Sequence, residues 1–267
     1  MQTKPKILAI SSEVTRGRVG LSIAAPCLSQ MGCNVFAVPT VLFASRPGLG
    51  QFVRHSIPTQ TFAEFLISLE EDGCFDDLSA ILTGYFGHQE QISEAAELIS
   101  RLKKRNPDTV VVCDPILGDR PTGLYVSREI ADGLVRDLVP RADIITPNLF
   151  EIEWLSGLKA GEPDFPGKLD EWRNRQGLRG VLVTSYAVTD TDIQSALITD
   201  KGIEILRNKH FDSVPHGTGD ALSALLLASL VRNHTLKEAA TTAIRQIECL
   251  AEAASGAEAL SPDILTD

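Results

Sequence analysis

The sequence predicts a doubly wound α/β fold, with a mostly parallel central sheet, helices on both faces and a small β-flap. Short β-branched runs alternate with longer amphipathic segments, which is how βαβ units read in sequence. Four of the runs are followed at once by polar or glycine-rich tails, where an open α/β sheet binds its ligand. After Thr184 the alternation gives way to a hairpin and two closing helices.

The expected strands are Lys6 to Ile10, Asn34 to Val38, Ala80 to Thr83, Thr109 to Cys113, Asp143 to Thr146 and Gly180 to Thr184. Between them the expected helices are Gly20 to Met31, Gln60 to Glu71, His88 to Arg105, Ser127 to Leu138 and Phe150 to Ser156. Gln194 to Thr199 and Gly202 to His210, joined through Asp200-Lys201-Gly202, read as a hairpin. Thr218 to Arg232 and Leu236 to Ala254 read as the last helices, and Lys159 to Lys168 as a surface loop. Thr40 to Phe43 breaks the pattern. It follows a strand almost at once and precedes the breaker Arg46-Pro47-Gly48-Leu49-Gly50 and then Phe52 and Val53, so residues 39 to 55 are expected to form a β-flap.

A chain of 267 residues, 43% hydrophobic and 22% charged, suits one domain spanning 1 to 267. Its net charge of -10 argues against a nucleic-acid partner, which requires a basic face. No apolar run approaches the roughly 18 to 20 residues of a membrane span, and the start lacks the long apolar centre of a signal peptide. The five cysteines are odd in number and without CxxC spacing, which speaks against a disulfide framework and a zinc site. A reduced, cytoplasmic setting is expected.

The most specific tail is His216-Gly217-Thr218-Gly219-Asp220, which opens an apolar helix. Glycines there let backbone N–H groups approach an anion, and the helix dipole favours negative charge. Asp220 in the first turn is placed to accept a proton from a nucleophile aimed at phosphorus; the plainer alternative is that it caps the helix. Asp114, just past a buried strand, can face the crevice and hold a magnesium-bound water, with the following Pro- and Gly-containing loop as a lid; an Asp-Pro turn is the alternative. Asn148 and Glu151 have capping-box spacing, and their sharper reading has both projecting toward metal and phosphates. Thr184 and Ser185 end a strand and can bond a phosphate oxygen, although hydroxyls are common there.

These tails together resemble the ribokinase superfamily, and within it the pyridoxal kinases, over essentially the whole chain. The resemblance rests on Ile10-Ser11-Ser12, Gly17-Arg18-Val19-Gly20, Leu82-Thr83-Gly84-Tyr85, the run from Cys113 to Asp119, the run from Ile145 to Glu151, and Gly217-Thr218-Gly219-Asp220. It implies a ribokinase-like three-layer fold and phosphorylation by ATP of the 5′-hydroxymethyl group of pyridoxal or a related B6 vitamer. In that scheme Asp220 is the base and Gly217, Thr218 and Gly219 form the anion hole. Asp114, Thr146, Asn148, Glu151, Thr184 and Ser185 become nucleotide neighbours, with Asp114 and Glu151 on the metal side. Ser12 binds the pyridine ring, and Val19, Phe43 and Tyr85 line its pocket. A homodimer, magnesium and potassium are also implied.

Two departures touch the substrate half. Pyridoxal kinases usually follow the pocket serine with His, where this chain has Glu13; their flap usually reads Val-x-Phe-Ser-Asn-His-Thr, where this one reads Val41-Leu42-Phe43-Ala44-Ser45-Arg46-Pro47. Pro47 offers neither hydroxyl nor backbone N–H. A kinase for another hydroxymethyl heterocycle, such as hydroxymethylpyrimidine, or for a sugar-like alcohol therefore stays open, although pyrimidine kinases commonly carry Cys in place of Asp220. A non-catalytic B6-binding sensor is the reading from another class.

Overall fold

The computed structural model describes residues 4–49, 51 and 53–265. Its strands are β1 (Lys6–Arg16), β2 (Asn34–Ser45), β3 (Arg54–Ser56), β4 (Leu78–Thr83), β5 (Val110–Cys113), β6 (Gly118–Asp119), β7 (Gly123–Leu124), β8 (Ile144–Ile145), β9 (Gly180–Val188), β10 (Asp192–Thr199) and β11 (Gly202–Lys209). Among the described residues nine of them form one sheet in the order β11-β10-β9-β8-β5-β4-β1-β2-β3, while β6 and β7 pair separately. The six strands from β9 to β2 in that order are parallel, and antiparallel strands flank them at both edges.

Along β1, Ile7 and Ala9 enter one core and Leu8 and Ile10 the other, and all four are fully buried. Strand side chains alternate between faces, so a continuous apolar run needs cover on both. α1 (Leu21–Gln30), α7 (Thr218–Leu230) and α8 (Leu236–Ala253) cover the Ile7 face. The Leu8 face is covered by α2 (Thr59–Glu71), α3 (Gln89–Arg105), α4 (Arg128–Gly133), α5 (Leu149–Ser156) and α6 (Phe165–Gln176). Three layers result, as expected.

Three elements depart from the expectation. β1 and β2 do not stop at Ile10 and Val38: after a register shift between Ser11 and Glu13 they stay paired through Val14 with Phe43 and Arg16 with Ser45. The flap is thus a projecting continuation of two sheet strands with β3 on its edge, and Gly50 and Phe52 lie outside the described residues. Second, α6 begins inside the expected loop. Its buried Phe165, Leu169 and Trp172 stand at helical spacing among mostly polar neighbours, with proline in its first turn and left-handed Gly177 at its end. Third, the helix expected over Ser127 to Leu138 is α4 followed by a π-helical turn, Leu134–Leu138.

The sheet positions the site. From β1 the chain goes outward to β2 on one side, while β4, β5, β8 and β9 build up on the other. β1 and β4 therefore flank the topological switch point, where the crevice of an open α/β sheet lies.

Candidate active site

Gly217 precedes α7 with φ +106, and a Cβ there would lie 2.1 Å from the Arg18 carbonyl oxygen. Only glycine fits, and its absence of a side chain seats the loop against the Gly17-Arg18 segment. A Cβ on Gly219 would meet nothing within 4 Å, so the helix start is open above it. The first-turn N–H groups of α7 lack intrahelical acceptors and suit an anion.

Asp220, half-buried in that turn, accepts from the Gly20 N–H and from its own. Burial outweighs these bonds and pushes its carboxyl up to about 6. Gly20 also touches the substrate side: a Cβ on it would lie 2.6 Å from Ser12 Oγ and 2.2 Å from Ser12 O. Ser12 and Asp220 thus meet at Gly20. A small cavity of about 10 Å³ beside Asp220 is lined by Ser11, Thr83, Asp114 and Ser223 and by apolar residues of β1 and α1. It is about the size of one water, and the Thr83 hydroxyl is buried in its wall.

Behind Asp220 lies a buried hydroxyl chain that sequence reasoning missed. Ser223 Oγ is 2.9 Å from Asp114 Oδ2 as donor and 2.8 Å from Thr146 Oγ1. The signal was faint, a serine one turn after Asp220 inside the apolar run Leu222 to Leu227. Thr146 therefore stands behind Asp114, its hydroxyl engaged. Burial first, and then the charges of Asp220 and Glu151, hold the Asp114 carboxyl well above the usual carboxylate range.

Asn148 and Glu151 form the capping box. The Glu151 N–H donates to Asn148 Oδ1 at 2.9 Å, and the Asn148 N–H to Glu151 Oε2 at 2.8 Å. Glu151 Oε1 accepts from the Leu117 N–H at 2.9 Å, and Asn148 Nδ2 donates to the Gly118 carbonyl at 2.8 Å. Both side chains thereby hold the start of the β6–β7 hairpin. Burial raises the Glu151 carboxyl to about 7 against these bonds.

On the substrate side Val19, Phe43 and Tyr85 come together with Val14 and Val41 in a satellite cluster under the flap. The Phe43 and Tyr85 rings meet edge-on at 5.9 Å. The Tyr85 N–H donates to Ser11 Oγ at 3.0 Å, and Thr40 Oγ1 donates to the Tyr85 carbonyl at 2.6 Å, fixing this turn between β1 and β2. Glu13 accepts a hydrogen bond from Ser22 Oγ, and Ser22 also bonds both backbone groups of Val14.

On the far side of α7 a cleft of about 370 Å³ is lined by Thr184, Ser185, His216, Thr218 and Gly219 at one end. Val214, Leu222, Ile244 and Ile247 form an apolar wall. The α8 residues were not foreseen, because only packing of α8 on α7 brings them there. Ser185 holds φ 49, an uncommon conformation for a non-glycine residue and one that marks the cleft's rim.

Among the described residues no lysine or arginine neutralises Asp114, Glu151 or Asp220, and such crowded negative charge suits a divalent cation brought by a polyphosphate. No group of three His, Cys, Asp or Glu among them forms a closed cage. Magnesium needs none, since it keeps several waters and one or two carboxylate contacts. Asp114 Oδ1, to which no described residue donates, fits that role better than Glu151, whose two oxygens are occupied.

The family model described as phosphomethylpyrimidine kinase matches residues 26–259. The pyridoxine/pyridoxal/pyridoxamine kinase of Bordetella avium is 34% identical over 262 residues, covering 96% of this chain and 88% of its own. The pyridoxal kinase structure from Entamoeba histolytica superposes with TM-score 0.87 at 25% identity, over 97% of this chain and 93% of that one. That from Leishmania donovani, in complex with ADP and pyridoxamine, gives 0.85 at 25% identity over 94% and 87%. The fold is the ribokinase-like fold, and the class is that of phosphotransferases acting on an alcohol group. Within it, the chain belongs to the pyridoxal kinase family.

Proposed function

We propose that this chain, acting as one kinase domain, transfers the γ-phosphoryl group of ATP to the 5′-hydroxymethyl group of pyridoxal or a related B6 vitamer, giving pyridoxal 5′-phosphate and ADP. The observation that carries it is Asp220: a carboxylate poised near 6, in the first turn of an open helix start, which meets Ser12 at Gly20. The ADP and pyridoxamine bound by the Leishmania relative support the pairing of substrates.

In this reading the vitamer ring lies against Val19, Phe43 and Tyr85 with Ser12 at its edge, and the nucleotide takes the cleft along Thr184 and Ser185. Asp220 accepts the hydroxyl proton as oxygen attacks phosphorus, and the N–H groups of Gly217, Thr218 and Gly219 receive the charge on the phosphoryl oxygens. Asp114 would hold magnesium, which when bound would supply neutralisation of the polyphosphate. Thr146, Asn148 and Glu151 keep Asp114 and the β6–β7 hairpin in place. The β6–β7 hairpin serves as the lid that excludes water.

ATP consumption with pyridoxal, pyridoxine, pyridoxamine and hydroxymethylpyrimidine tests the assignment. Turnover of at least one B6 vitamer is expected. Turnover of hydroxymethylpyrimidine alone would move the activity to the second reading, which the family model's description, Glu13 and Pro47 favour. Tight vitamer binding without turnover would make the protein a sensor. We also assign a homodimer and a response to potassium, as the resemblance implies, and a cytoplasmic setting, from the cysteine usage. Exposed Leu42 and Val53 on the flap offer apolar surface for the dimer, and none of the helices among the described residues is long and apolar enough to cross a membrane.

A further inference from the structure

We propose that Arg46, where the flap departs from its family's usual sequence, is a catalytic residue whose guanidinium reaches over Gly17 onto the phosphoryl group in transfer. The inference rests on the kinase reading above.

The backbone fixes where Arg46 starts. Its N–H donates to the Arg16 carbonyl at 3.0 Å, and its own carbonyl accepts from the Leu49 N–H at 3.1 Å. Pro47 in second place and Gly48 at φ +80 in third stiffen this turn, as a type II turn requires. Arg46 is the turn's first residue, so its side chain leaves from a rigid base.

The side chain then crosses Gly17, and its Nη1 end comes back beside Gly48. A Cβ on Gly17 would lie 2.7 Å from Arg46 Cγ and 2.9 Å from Cδ, so the stem lies across a residue that must be glycine. The next residue, Arg18, sets its carbonyl against Gly217. One short segment therefore seats Arg46 on one side and the phosphate loop on the other. His216, at the start of that loop, feels the result: burial first and then the Arg46 charge lower its imidazole pKa.

The guanidinium is under-used within the protein. One terminal nitrogen donates to the Pro47 carbonyl at 3.0 Å, whereas Nε is buried and without a partner. A buried cationic donor left so is costly unless a ligand completes it. Glu258 is held by Arg16, at 2.9 and 2.8 Å, and the Arg46 charge acts on it only through space and more weakly than Arg16. Meanwhile the site crowds three carboxylates without a paired cation, and phosphoryl transfer spreads charge over three equatorial oxygens that a planar fork matches.

In the step concerned, the bond between the γ-phosphorus and the oxygen bridging to the β-phosphorus breaks. The bond from the vitamer hydroxymethyl oxygen to phosphorus forms, and the hydroxyl proton passes to Asp220. Arg46 donates hydrogen bonds to the equatorial oxygens and exchanges no proton.

The test compares kcat and KM for ATP and pyridoxal in wild type, Arg46→Met, Arg46→Lys and Arg16→Met, with thermal melts of each. Arg46→Met is expected to lower kcat about 100-fold with the pyridoxal KM nearly unchanged. Arg46→Lys, which keeps charge without the fork, should lose about tenfold. Added guanidinium ion should restore part of the Arg46→Met rate, and Arg16→Met should stay near wild type. A kcat within threefold of wild type in Arg46→Met overturns the role, as does an equal loss in Arg16→Met or a loss that guanidinium does not relieve. Should Arg46→Met fail to fold, Arg46→Lys decides: a normal melt with reduced kcat supports the role, and an unchanged kcat removes it. A wild type that turns over no vitamer defeats the functional reading and the role with it, whereas an active wild type beside an unaffected Arg46→Met defeats the role alone.

Discussion

At the scale of single residues the proposed base, Asp220, is a carboxylate whose ordinary value of 3.8 burial lifts to about 6. A base works as its carboxylate, so kcat/KM should climb as pH rises through about 6 and level off above it. The same shift has the opposite sign for stability. The folded state binds the proton more tightly than the unfolded chain, so that contribution is full below 3.8 and lost as pH rises through about 6. Asp220→Asn should therefore lose nearly all turnover, yet at pH 8 resist urea better by about 1 to 2 kcal/mol, a gain that fades near pH 4. Paired denaturation curves at the two pH values check it. The glycines make a second test. Gly217→Ala meets the Arg18 carbonyl at 2.1 Å in a left-handed conformation and should cost about 2 kcal/mol or more. Gly219→Ala has free space and should fold normally while its methyl group narrows the anion hole, so kcat falls with the melting temperature nearly unchanged.

At the scale of elements, the capping box shows how one carboxylate ties a helix to the β6–β7 hairpin. Glu151 accepts from the N–H groups of Asn148, Leu117 and Gly118, so Glu151→Ala leaves three donors unmet, two of them buried, at about 2 to 4 kcal/mol in total. Glu151→Gln keeps one accepting oxygen but sets an NH2 against the N–H that the other oxygen served, so its loss should be about 1 to 2 kcal/mol, smaller than that of Glu151→Ala. Urea denaturation of both variants separates the two outcomes. The spacing of Asn148 and Glu151 was enough to read this box from sequence. The flap and α6 were less legible. Past Ile10 the polar residues of β1 look like a loop end, because pairing with β2, not apolarity, keeps them extended. In α6 the buried stripe is thin, and only docking on the core selects helix over loop.

At the scale of the whole molecule, burial decides how the cysteines behave. Cys249 is exposed, whereas Cys27 and Cys113 are buried and their thiols are pushed up to about 12. A thiol reagent should label Cys249 quickly in the native protein and Cys27 and Cys113 only on unfolding, which mass spectrometry of timed samples would resolve. By itself, the sequence determined the alternation of strand and helix, the tails behind Asp114 and Asn148 and the glycines around Asp220, since each is a local preference written in adjacent residues. Only the tertiary structure decided that Ser12 and Asp220 meet at Gly20, that Ser223 stands behind Asp114, and that Arg46 lies over Gly17. The contacts of Asp220 with Gly20 and of Ser223 with Asp114 come from close packing of the α1–α7 layer on the sheet, and that of Arg46 with Gly17 from the pairing of β1 with β2, and no local pattern encodes either.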